Sequence, residues 1–293
     1  MRHSWRVFGA DDELGTLNKI TNETVTHAAR EIQTGESIGL VLPLHLPNPP
    51  FFGRAPFEHD VFSLGRTGWD DKLDNFALQG SSQWDGFRHV SAREFGLYGG
   101  VTAAPLANEP RLGIQHWAKK GIVGRGVLLD VQKFLGVFDP MQETRFTVQD
   151  LQKVIEAENV DIRSGDVLCV RFGWASAYKG MSQAERTTLA ENERQVFSGL
   201  IGSEEMAEAL WDWGVAAIVC DNPAVESAPG SREIGSLHRR ILPLLGMPIG
   251  ELFDFDALAE ACARDNRWSF MFAAAPLPLV GGVGSPANAV AIR

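Results

Sequence analysis

The chain has 293 residues, 44% hydrophobic and 22% charged, the make-up of a folded globular protein with enough chain for a sizeable core. Asp and Glu outnumber Lys and Arg by 37 to 27, for a formal charge of -10, and no basic run offers a phosphate-binding stripe, so nucleic acid is not an expected partner. No stretch approaches the roughly 18 apolar residues of a membrane span and the N-terminus lacks an apolar signal core, so a cytoplasmic protein with no membrane partner is expected.

In chain order, residues 1 to about 110 predict one helix, "NETVTHAAREIQTG", then the apolar run "SIGLVLPLHL", then the Pro-, Gly- and Phe-rich "PNPPFFGRAPFEHD". "GESIG" at 35–39 matches a nucleophile-elbow pattern, but that elbow needs a strand before it and a helix after it. Here the helix ends at Gly35 and the strand begins near Ser37, so a polar turn is expected. "QGSSQWDGFRHV", Gln79 to Val90, gathers two glutamines, an aspartate and a histidine in a segment too rich in Gly and Ser for a good helix.

From Arg111 onward, helical patterns alternate with short apolar runs, the pattern of an α/β protein with a largely parallel sheet. "TVQDLQKVIEAEN" opens on Thr147 with Asp150 three places on, a capping-box start, and precedes "GDVLCVRFG". "SEEMAEALWDWG" opens on Ser203, closes at Gly214 and precedes "VAAIVC". "VGGVGSPANAVAIR" has glycines but no following helix to present N–H groups to a phosphate, so a turn into a last strand is expected. No linker divides the chain. One domain, 1–293, is expected, with residues 1–60 as an N-terminal extension or oligomerisation arm.

Cys169, Cys220 and Cys262 are far apart, and the first two lie in apolar runs, where cysteine acts as a small buried hydrophobe. Of seven histidines, His3, His27, His45, His59 and His116 have no acidic or histidine partner at ligand spacing and predict surface or satisfied interior positions. His89 and His238 lie among carboxylates. His238 falls in the first turn of a short helix that Ser236 can cap and Gly246 can end; the positive helix end there favours a neutral ring able to ligate a cation. Eight helical residues rise about 12 Å and five extended ones return about 16 Å, which permits Glu251 to lie beside His238.

The stretches "QWDGFRHV", "GVAAIVCDNPAVES", "LHRRILPLLGMPIGEL" and "APLPLVGGVGSPANAVAI" together resemble the cyclase family that includes bacterial kynurenine formamidases and isatin hydrolase. The opening "FGADDELGTLNKIT" is similar to its longer members, so the likeness spans nearly the whole chain. It implies a swivelling β/β/α fold, metal-dependent hydrolysis of amide bonds in small aryl compounds, and a homodimer or homotetramer. The family motif H-x-G-T-H-x-D-x-P-x-H places its Asp on Asp85 and its last His on His89, and the later His and Glu ligands fall on His238 and Glu251. Gln79 and Gln83 stand where the motif has its first two histidines, and Phe87 where it has Pro.

A glutamine carbonyl is a neutral and much weaker donor than imidazole, so the reading is one divalent ion, Mn²⁺ or Zn²⁺, on Asp85, His238 and Glu251. The expected activity is hydrolysis of an amide or lactone bond in a small cyclic or aryl compound by metal-activated water, with His89 as general base. Gln79 and Gln83 are candidate ligands or hydrogen-bond donors to substrate, and Trp84 and Phe87, with Phe51 and Phe52, a candidate apolar wall. Asp221 and Asn222 are either supporting groups or an Asx turn. Two other readings stay open: a metal-free lyase, dehydratase or cyclase using His89 and Asp85, and a small-molecule binder without catalysis.

Overall fold

The computed structural model describes residues 3–104, 107–136 and 138–293, with Glu94 described in its backbone only. Its strands are β1 (Ser37–Gly39), β2 (Glu58–Ser63), β3 (Trp69–Asp74), β4 (Gln83–Asp85), β5 (Ile122–Asp130), β6 (Arg145–Phe146), β7 (Val167–Arg171), β8 (Gly199–Leu200), β9 (Ala217–Cys220), β10 (Ile249–Glu251), β11 (Ser269–Ala274), β12 (Gly284–Pro286) and β13 (Ala289–Ile292). Nine of them form one mixed sheet in the order β1-β13-β11-β5-β7-β9-β10-β4-β12.

The middle of the sheet, β5, β7, β9 and β10, is parallel. These strands are almost wholly buried, which is why they read as unbroken apolar runs without alternation. Outside them the pairing turns antiparallel on both sides. β11 alternates between buried and half-buried positions. Phe270 faces Gly126 across the β11–β5 ladder, where a Cβ would stand 2.3 Å from the Phe270 ring, so only glycine lets the ring lie across the neighbouring strand.

The helices follow their sequence signals. Thr147 caps Val148–Ala157 in a reciprocal capping box with Asp150, and Ser203 caps Glu204–Asp212 by accepting from Met206 N. Asn22–Ala28 is opened by a capping box of Thr21 and Thr24. The helix at His238 departs from expectation. It is three residues long, His238–Arg240, and runs straight into a π-turn over Ile241–Leu245; Arg239 N donates to the Ser236 hydroxyl at 3.5 Å, a long cap, and Gly246 closes the turn in the left-handed region as expected.

All three cysteines are buried and free. Ser37 is exposed at the start of β1, with no helix after it, and the C-terminal glycines turn into the short β12 and the last strand β13. The N-terminal segment folds back onto the body: Trp5 Nε1 donates to Pro243 O at 2.7 Å, and the Thr16 hydroxyl to Ala216 O at 2.7 Å. The Pro-rich stretch builds a second small core, with Leu42, Leu46 and Phe51 against Trp174 and Tyr178. Among the described residues, no helix is long and apolar enough to cross a membrane.

Candidate metal centre and active site

The centre is assembled by the pairing of β4 with β10. Their antiparallel register sets Gln83 opposite Glu251, and because side chains alternate along a strand, Gln83 and Asp85 share the face on which Glu251 lies. Trp84, between them, points the other way. It is fully buried edge-on against Phe253 and Phe272, and its indole N–H donates to Ala287 O. Phe87 is likewise fully buried against Tyr98 and Trp117, Phe51 lies in the second core, and Phe52 faces solvent. These aromatics hold the walls of the fold; the alternation along β4 is what takes Trp84 away from the site.

His238 swings in from the short helix. Its Nε2 lies 2.9 Å from Glu251 Oε1 and 3.6 Å from Asp85 Oδ2, and its Nδ1 lies 3.1 Å from Glu226 Oε1. One donor atom from each of Asp85, His238 and Glu251 falls within 4.8 Å of the others. Burial alone would lower the His238 pKa, but the close Asp85 carboxylate and the hydrogen bonds with Glu226 and Glu251 outweigh it and hold the ring well above the ordinary histidine range. This corrects the expectation of a neutral imidazole: three carboxylates outweigh the end of a three-residue helix, so in the absence of a cation His238 carries the proton.

The carboxylates divide the remaining charge. For Asp85 the cost of burial is overcome by the proximity of His238, 3.6 Å from Oδ2, by the field of His89 and by the amide of Gln79, so its pKa is lowered. Glu251 is pushed up to about 7, first by burial and then by the neighbouring Asp85 charge, against the pull of His238 and Gln83. Glu226 was not singled out in the sequence because "DNPAVES" has no second acid or histidine at local ligand spacing. Its carboxylate is fully engaged, accepting from the Ser236 hydroxyl, Leu237 N and His238 Nδ1.

Both glutamines act as donors to the site's own groups. Gln79 Nε2 donates to Asp85 Oδ1 and to His89 Nδ1, the latter at 3.1 Å, and Gln83 Nε2 donates to Glu251 Oε2 at 2.7 Å. They orient the carboxylates. Two oxygens nevertheless lie buried without a hydrogen bond, Asp85 Oδ2 and Gln83 Oε1. Buried acceptors are normally satisfied. Orphan oxygens on Asp85 and Gln83, beside three carboxylates compensated by a single imidazolium, make a donor set that fits a hard divalent cation.

His89 completes the centre. Its Nε2 is 3.5 Å from Asp85 Oδ2 and its ring centroid 6.4 Å from that of His238. Burial lowers its pKa, Asp85 opposes this, and the positive fields of His238 and Arg54 add to the lowering; the ring is neutral at neutral pH. It also lines a cavity of about 380 Å³, together with Arg88, Ser91, Arg93 and the segment from Val101 to Ala104. Asp221 and Asn222 lie apart in function, bracing loops: Asp221 accepts from Phe172 N and Gly173 N, and Asn222 Nδ2 donates to Ser198 O.

A family model described as "Putative cyclase" matches residues 25–227. The chain belongs to this cyclase family. A crystal structure described as a novel cyclase is 30% identical over 100% of both chains, with a TM-score of 0.90. Isatin hydrolase A from Labrenzia aggregata, bound to benzyl benzoate, is similar in fold, at 15% identity over 92% of this chain and 97% of that one, with a TM-score of 0.66. A structure described as a predicted metal-dependent hydrolase from Bacillus stearothermophilus covers 87% of this chain and 97% of its own, at 17% identity and a TM-score of 0.54. Curated proteins show no sequence match. The α/β architecture with its curled central sheet is thus that of the cyclases, as the motif resemblance implied.

Proposed function

We propose that this cyclase-family protein is a hydrolase that opens an amide or lactone bond in a small cyclic or aryl compound, with one divalent cation held by Asp85, His238 and Glu251. The observation that carries the reading is the buried, unpartnered Asp85 Oδ2, facing both His89 and His238 beside a cavity that His89 also lines. A bound Mn²⁺ or Zn²⁺ supplies Lewis acidity for a carbonyl and lowers the pKa of water. To ligate, His238 gives up the proton it shares with the carboxylates, and Glu226 keeps the ring oriented through Nδ1.

His89 is the proton carrier. As placed, Gln79 donates to Nδ1, which puts the ring proton on Nε2. With the Gln79 N–H kept on Asp85 Oδ1 and drawn off Nδ1, the ring would take the Nδ1–H tautomer and free the Nε2 lone pair, on the Asp85 side, to take a proton from water. The same atom then returns it to the leaving nitrogen or oxygen. Gln83 holds Glu251 in place while this happens.

The isatin hydrolase and metal-dependent hydrolase folds among the neighbours support hydrolysis. A metal-free proton-transfer reaction of His89 and Asp85 is favoured by one observation, that His238 as imidazolium already ties the three carboxylates together. Elemental analysis of protein purified without chelator or affinity tag separates the two. We expect about one equivalent of manganese or zinc, lost in Asp85→Ala; no metal after both ions are added back would remove the hydrolase reading in favour of the second. We further propose that copies of the chain associate as a dimer or tetramer, with the N-terminal region at the contact.

A further inference from the structure

We propose that the substrate carries an anionic group, a carboxylate, remote from the bond that is cleaved, and that Arg93 docks it at the mouth of the cavity beside His89. This rests on the hydrolase reading for the cleaved bond, but the docking site stands on its own residues.

The polarity of the site is layered. Inside lie Asp85, Glu226 and Glu251 around His238. Outside, the cavity wall carries Arg88 and Arg93 with His89, and no Asp or Glu among the described residues, although the chain as a whole has ten more acids than bases. Arg88 donates to Gly281 O at 2.5 Å and to Glu109 O at 3.3 Å. Arg93 has no ion pair or side-chain hydrogen bond among the described residues and is exposed at the cavity.

Two more guanidinium groups lie near, one in contact with Ser91 and one close enough to act on His89. Arg239, next to His238 in sequence, donates through Nη1 to Ser91 O at 3.1 Å, on the cavity wall. Arg54 stacks over the Phe52 ring at 5.3 Å from its centroid, and its positive field contributes to the lowered pKa of His89. Neither has a carboxylate partner among the described residues. A guanidinium left without a carboxylate in an acidic protein is a ready fork for one from a ligand. A molecule with a polarisable carbonyl at one end and a carboxylate at the other is therefore drawn in one orientation, carbonyl towards Asp85 and His89, carboxylate towards Arg93.

The test is isothermal titration of the full chain as purified with 4-acetamidobenzoate and with its neutral analogue 4-acetamidobenzamide, in the unaltered protein and in Arg93→Gln, Arg93→Lys and Asp85→Ala. We expect the carboxylate to bind about tenfold tighter than the carboxamide, the preference to vanish in Arg93→Gln, to survive in part in Arg93→Lys, and to persist in Asp85→Ala. Equal affinity for the two compounds, a preference untouched by Arg93→Gln, a preference lost in Asp85→Ala alone, or no binding of the carboxylate at millimolar concentration would each overturn the proposal. An anion preference in unaltered protein that holds no metal even after manganese and zinc are added back would uphold the docking site while removing the hydrolase reading.

Discussion

Glu226 fixes the Nδ1 side of His238. It takes the Nδ1 side of the ring at 3.1 Å and is itself fixed by Ser236 and Leu237 N, so it holds both the tautomer and the ring plane of a candidate ligand. Replacing such a partner costs on the order of 10- to 100-fold in metal affinity. Glu226→Gln keeps the size and one acceptor but loses the charge, and we expect chelator competition to show an affinity loss of that order with an unchanged circular dichroism spectrum. The same residue shows where sequence reading ended. Asp85 and His89 are marked by the motif resemblance, and His238 and Glu251 by that resemblance with a geometry that permits their meeting, but Glu226 reaches the site through a loop whose path no local pattern encodes.

At the scale of elements, the capping boxes were fully legible, because they are local: Thr147 and Asp150 begin a helix whatever else the chain does. The end of that helix carries a less local feature. Glu158, 7% exposed, accepts from Asp130 N while its Oε2 has no partner. Burial pushes its pKa up to about 8; the Asp130 N–H bond opposes this and the nearby Asp130 charge adds to it. The folded chain therefore keeps a proton that the unfolded chain has already lost, and the stability this contributes is fully present below the ordinary glutamate pKa and is lost as pH rises through 8. Urea unfolding at about pH 5 and about pH 9 should show a decline in midpoint that is smaller in Glu158→Gln, whose neutral amide has nothing to lose. A decline of equal size in both proteins would show that Glu158 is ionised in the fold.

For the whole molecule, the segment between the Pro-rich stretch and the centre is the part the body leaves uncovered. β2 and β3 pair as an isolated hairpin with every residue exposed. Its register sets His59 opposite Leu73, Val61 opposite Asp71 and Ser63 opposite Trp69, so Val61, Leu73 and Trp69 share one face, with Trp69 72% exposed. A free two-stranded hairpin is marginal in water, and this face, with Trp69, Val61 and Leu73 exposed beside the His59–Asp71 pair, is the contact we expect between copies. Sedimentation should find a dimer or tetramer, and Trp69→Asp should weaken it at least about tenfold, as loss of a buried tryptophan anchor does. A chain that is monomeric before substitution would leave the hairpin without that role.

What the sequence by itself determined was whatever depends on neighbours along the chain: the α/β alternation after Arg111, the helix caps, the apolar parallel strands, the buried cysteines, and the motif positions of Asp85 and His89. The tertiary structure alone decided the rest. The β4–β10 register turned Gln83 and Asp85 to the site and Trp84 to the core, and it made the two glutamines donors to carboxylates. Three acids gathered from distant segments outweigh the helix end and raise the His238 pKa. Strand alternation and helix capping are short-range and written locally, whereas the charge state of a buried group depends on every charge that folding brings within a few ångströms of it.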